Sequence, residues 1–161
     1  MLVTLTAAHV VLSLVGIVSG FVVVTGLMTS KRLDGWTVVF LGTTAATTVT
    51  GFLFPFQRFL PSHGAGILSA LILAAAIFAR YRRHLAGAWR RTYAITAVIA
   101  LYLNVFVLIV QLFLKVPPLH ALAPTQTEPP FKLGQLAVLV LFLALGILAA
   151  ARFRNETLRT A

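Results

Sequence analysis

Long apolar runs alternate with short polar breaks along this chain. Runs near 3–28, 36–55, 62–84, 90–115 and 132–152 approach or exceed the roughly 20 apolar residues a helix needs to cross a bilayer. Each break has a local cause. TSKRLDG, 29–35, carries charges and a glycine. PFQRFLP, 55–61, holds Pro55 and Pro61, which end one helix and permit the next. RYRRHLAGAWRR, 80–91, is strongly basic, and KVPPLHALAPTQTEPPF, 115–131, has five prolines and is too polar to span. The pattern predicts an all-α fold: a polytopic transmembrane helical bundle of about five spans. It forms one domain, 1–161, with little chain outside the membrane and no internal repeat.

Composition supports this class. Hydrophobic residues make up 60% of the chain and charged residues 10%, whereas about a quarter of a soluble domain is charged. No stretch shows the ten-residue alternation of a membrane β-barrel. There are no cysteines, which excludes disulfides, iron–sulfur clusters and thiolate metal sites. The N-terminal run lacks a basic n-region and exceeds a signal h-region in length, so it reads as a retained first span.

The net charge of +10 would suggest nucleic acid in a soluble protein. Here the basic residues flank apolar runs, so the lipid bilayer is the expected partner and nucleic acid is not. Lys31, Arg32, Arg80, Arg82, Arg83, Arg90, Arg91, Arg152, Arg154 and Arg159 fall on one side, against Arg58, Lys115 and Lys132 on the other. The positive-inside rule then places the N-terminus outside and the C-terminus in the cytoplasm.

That orientation gathers polar residues at the outer face. His9 lies near the outer end of the first helix, and His63 at the start of the third. His120 and Glu128 lie in the outer loop, Gln111 near the end of the fourth helix, and Gln135 near the start of the fifth. His9, Ser13, Gly16 and Gly20 are spaced by 4, 3 and 4, one helical face, which the small residues turn towards the bundle. Ser62 is an N-cap candidate that places His63 at the first helical position, where the helix dipole favours a neutral imidazole. His9, His63, His120 and Glu128 are therefore candidate ligands for a metal or haem b. Ser13, Arg58, Asn104, Gln111 and Gln135 complete a candidate polar cluster. The competing use of His9 is an interhelical hydrogen bond, and His63, with no recurring metal spacing beside it, suits an interfacial role better than ligation. Glu128 is expected to pair with Arg58 or Lys132, and the proline-rich loop to cap the outer mouth. Thr44, Thr47, Thr48 and Gly51 form a packing stripe, and His84 with Arg80, Arg82 and Arg83 is expected in the headgroup layer.

TGFLFPFQRFLPSHGAG and LNVFVLIVQLFLKVPPLHALAPTQTEPPF resemble the corresponding stretches of a group of small, uncharacterised bacterial integral membrane proteins. The resemblance covers nearly the whole chain. It implies a multi-pass location in the bacterial inner membrane and brings no activity and no functional residues. A looser similarity, of architecture alone, is to small membrane b-type cytochromes, with His9 and His63 as the pairing histidines.

Three functions are compatible with these features. The first is an accessory or small-ligand-binding protein, a homo-oligomer or the companion of another membrane protein. The second is a redox or metal-binding protein using haem b or a His-bound metal at His9 and His63. The third is an oligomeric transporter or channel. A membrane enzyme acting on lipid is a fourth, ranked below these because no pair of acid and base groups stands on one helix.

Overall fold

The computed structural model describes residues 2–54 and 61–153. Six α-helices account for most of these residues, and none of the described residues lies in a strand. They are α1 (Leu2–Met28), α2 (Asp34–Phe52), α3 (Pro61–Ile77), α4 (Trp89–Lys115), α5 (Pro117–Leu122) and α6 (Pro129–Arg152). One turn of π-helix, Phe78–Arg82, extends α3.

Residue type explains the helix ends. Pro129 and Pro130 open α6, where a missing N–H costs nothing because the first helical amides have no intrahelical partner. Asp34 opens α2 and places a negative charge at the positive end of the helix dipole. The α1–α2 turn needs two left-handed residues that are not glycine, Ser30 and Leu33. α3 begins at Pro61, so Ser62 is not its N-cap and His63 is the third helical residue rather than the first.

α1 and α4 form the middle of the bundle. α1 packs on α2, α4 and α6; α4 also packs on α3 and α5. α4 contributes a spine of small buried residues, with Ala94, Ala97 and Ala100 beside the larger Tyr93, Val98 and Leu101. Gly20 of α1 meets this spine closely: a Cβ there would lie 2.6 Å from Leu101 Cδ1 and 2.9 Å from the Phe40 ring. α1 can approach both neighbours only because position 20 has no side chain. At Gly16, a Cβ would lie 3.2 Å from the Thr43 hydroxyl. The face carrying His9, Gly16 and Gly20 thus lies against α2 and α4.

The outer surface is largely apolar. Val18, Val38, Val49, Leu71, Val140 and Ile147 are all exposed. So many exposed apolar side chains suit a lipid environment better than water. α1, α3, α4 and α6 are long and apolar enough to cross a membrane. α2 is less apolar, because six of its 19 residues are threonine. Most of those hydroxyls bond within the bundle, as at Thr43, Thr48 and Thr50, which donate to carbonyls one turn back in their own helix.

Candidate functional site

The two ends of the bundle differ in chemistry. At the end where α1 finishes and α2 starts, the described chain carries Lys31, Arg32, Arg80, Arg82, Arg83, Arg90, Arg91 and Arg152. The opposite end carries Lys115, Lys132 and Glu128. Arg58, Arg154 and Arg159 lie outside the described residues.

At the histidine end, the polar side chains meet partners in pairs. His9 Nδ1 lies 2.9 Å from the Thr50 hydroxyl. That hydroxyl also lies 2.8 Å from the Ala46 carbonyl, so a His9 proton on Nδ1 would satisfy both contacts at once and leave Nε2 as the basic nitrogen. The Phe54 ring stands edge-on to the imidazole, with centroids 5.3 Å apart. Ser13 donates to the His9 carbonyl in its own helix and joins no cluster. Asn104 Nδ2 donates to the Thr44 hydroxyl at 3.1 Å, a joint between α4 and α2. Gln135 Nε2 donates to the Phe106 carbonyl at 3.2 Å, joining α6 to α4. Gln111 is half-buried and takes part in none of these joints. The backbone of His63 is in α3, and its side chain lies outside the described part of the chain.

The proline-rich loop forms the short helix α5 and folds back along α4. His120 Nδ1 lies 3.2 Å from the Phe113 carbonyl, and Gln126 Nε2 donates to the Val110 carbonyl at 2.9 Å. Glu128 does not pair with Lys132. Its carboxylate accepts the Thr125 hydroxyl at 2.8 Å and the Thr127 amide at 3.0 Å. These local donors lie within three residues and outcompete a cation on a long flexible stem. Among the described residues, no three of His, Cys, Asp and Glu gather to hold a metal ion.

Glu128 and His9 can each be tested at this end of the bundle. Partial desolvation alone would raise the Glu128 carboxyl, but hydrogen bonds from Thr125 and from backbone amides outweigh it and hold it below the ordinary glutamate value. A depressed carboxylate contributes order that is present above its unfolded-state pKa and lost as pH falls through the lower folded value. The Thr127 amide resonance is expected to move only under that acidic condition, and Glu128→Gln to remove the transition. For His9, a double-mutant cycle with Thr50, using His9→Phe and Thr50→Val, is expected to give a coupling of about 0.6 kcal/mol, the usual size of a hydrogen bond between membrane helices. A coupling near zero would show that the two side chains do not interact.

The basic end holds a feature that charge patterning alone does not reveal. Arg80 does not face outward to headgroups as expected: it is 7% exposed. Its Nη2 pairs with the Asp34 carboxylate and donates to the Arg32 carbonyl at 3.4 Å. Its guanidinium lies 5.1 Å from the centroid of the Tyr93 ring, a cation–π distance. Tyr93, itself fully buried, donates to the Thr37 hydroxyl at 3.4 Å, and Thr37 donates to the Arg32 carbonyl at 3.3 Å. Arg80 Nη1 is buried with no partner. A buried arginine inside an apolar bundle is costly and points to function, as does a π turn. A signal for it exists: Ser69, Leu73, Ala76 and Arg80 are all buried and follow one another by 4, 3 and 4. Arg80 continues the inward stripe of α3. Arg83, by contrast, is exposed and stacks on Trp89 at 5.2 Å, and His84 is exposed.

The fold and these sites define a class, an all-helical bundle with four helices suited to crossing a membrane. No family model matches the chain, and no curated protein or solved structure matches it.

Proposed function

We propose that this chain is a bacterial inner-membrane protein that acts without turnover, as an accessory or small-ligand-binding component of five membrane-crossing helices. The supporting observation is the use made of its interior polar side chains. His9 with Thr50, Thr44 with Asn104, Thr48 with Ser69, and Gln135 with the Phe106 carbonyl each join one helix to another. Polar groups spent on helix–helix joints hold a scaffold together. The eight described cations at one end favour a cytoplasmic position for that end.

The absence of cysteine makes the topology easy to test. Cysteine introduced by Lys31→Cys and by Leu53→Cys, one at each end of α2, should react with a membrane-impermeant thiol reagent from opposite sides. Leu53→Cys should label from outside, and Lys31→Cys only after permeabilisation. Labelling of both from one side would reduce the bundle to four spans.

A second reading, haem b or a His-bound metal at His9 and His63, draws support from one detail. A His9 proton on Nδ1, given to Thr50, would leave Nε2 with the free lone pair a metal requires. Purification in mild detergent, with spectra before and after dithionite and metal analysis of the same sample, separates the two readings. The accessory reading expects a colourless, metal-free protein that co-purifies with a second copy or a partner. Sharpened α and β bands on reduction, or stoichiometric metal, would replace it with the redox or metal reading. A colourless monomer without a partner would count against both.

A further inference from the structure

We propose that the groove between the last turns of α1 and the 29–33 turn is a binding site for an anionic phospholipid. One acyl chain lies against Phe21, Val22 and Leu33, and the phosphate meets Lys31. The groove has a volume of about 460 Å³. Its walls are apolar along α1, and Lys31 and Thr29 stand at its polar end. That gradient matches a lipid: an acyl chain next to a charged headgroup.

The turn that carries Lys31 is held from several sides. The Lys31 amide donates to the Gly26 carbonyl at 2.8 Å. Ser30 Oγ donates to the Arg152 carbonyl at 2.6 Å, tying the turn to α6. The Arg32 carbonyl receives both Arg80 and Thr37. Leu33 adopts a left-handed conformation, φ 43°, which leucine takes only when its surroundings require it. The reason is visible at Gly26: a Cβ there would sit 2.5 Å from Leu33 Cδ1. Leu33 lies over the space that glycine leaves and becomes one wall of the groove.

Charge complementarity selects the occupant. Asp34 is the one acid among the described residues at this end, and Arg80 already pairs with it. The exposed Lys31 ammonium has no carboxylate in ion-pair range among the described residues. Arg32 follows it in sequence, and the Arg152 backbone is in contact with Ser30. A lipid phosphate supplies the missing negative charge, and each basic residue near a membrane surface adds attraction to anionic lipid. This inference goes beyond the accessory reading and rests only on the bundle lying in a bilayer.

The test is native mass spectrometry of the full chain released from mild detergent after exchange into phosphatidylglycerol or phosphatidylcholine with identical acyl chains. The wild type should retain one phosphatidylglycerol and much less phosphatidylcholine. Lys31→Glu should lower phosphatidylglycerol retention about tenfold or more, and Lys31→Arg should restore it. Lys132→Glu, an exposed cation at the other end, should leave retention unchanged. Lys31 is exposed, so none of these variants disturbs packing. Equal retention of the two lipids by the wild type would overturn the proposal, as would equal losses in Lys31→Glu and Lys132→Glu. Thr25→Trp, which fills the groove from an exposed position, should remove the bound lipid, and its retention in that variant would place the lipid elsewhere.

Discussion

Asp34→Ala is expected to lower the melting temperature of the detergent-solubilised protein by about 4–12 °C, given roughly 2–4 °C per kcal/mol at this chain length. The reason is the unequal burial of the pair it breaks. Arg80 is 7% exposed, and without Asp34 its buried guanidinium retains the Arg32 carbonyl and the Tyr93 and Tyr81 rings but no carboxylate. Breaking a fully buried pair costs about 3–5 kcal/mol because the surviving charge is uncompensated. The Asp34 side chain is 77% exposed, so water screens part of that loss and about 2–3 kcal/mol is expected.

The opposite deletion should behave differently. Arg80→Leu removes the buried charge itself and leaves an exposed carboxylate, so it should cost less than Asp34→Ala. In the double variant, the loss of Asp34 should add little to Arg80→Leu. Thermal unfolding followed by intrinsic fluorescence would rank the four proteins. An Asp34→Ala protein that melts within a degree of the wild type would sink the assignment of Arg80 as a buried charge held by one carboxylate.

Gly20→Leu is expected to cost about 3 kcal/mol, the upper end of the range for overpacking a filled interior. The first added atom already lies 2.6 Å from Leu101 and 2.9 Å from Phe40. Phe40 and Leu101 are themselves fully buried, so neither can swing out to make room. The penalty is steric and therefore persists in lipid, where burying apolar surface carries no hydrophobic gain. Gly42 provides the contrast. A Cβ there meets nothing within 4 Å, and Gly42→Ala should be neutral or stabilise α2 by up to about 1 kcal/mol through better helix propensity. Similar melting points for the two variants would contradict the close approach of α1 to α2 and α4 at Gly20.

Much of the architecture is legible in the order of residues. Breaks at charged and proline-rich segments place five long helices to within a few residues at most ends, because a continuous apolar run leaves the backbone no better partner than itself. The segregation of Lys and Arg to one end follows from chain order alone, since alternate breaks come to the same end of a bundle. The small-residue face of α1 is also readable, because Gly16 and Gly20 mark places where backbones approach.

Other features require side chains to meet. Arg80 reads like its neighbours Arg82 and Arg83 in a basic run, yet it continues the buried face of Ser69, Leu73 and Ala76 and finds Asp34 46 residues earlier. The Glu128 partners are close in sequence but depend on the turn that aims Thr125 and Thr127 at its carboxylate. α5 is hidden in a segment whose prolines read as loop, although Pro117 and Pro118 are suited to a first helical turn.

The helical class, the polar breaks and the sidedness of charge are properties of the amino-acid sequence, because all three depend on local hydropathy and on order along the chain. The pairing of polar groups, the burial of one arginine among several, and the groove framed by Leu33 and Lys31 arise only in the folded bundle. Those outcomes depend on which residues from distant helices compete for the same space, and spacing along one helix carries no information about the residue that faces it.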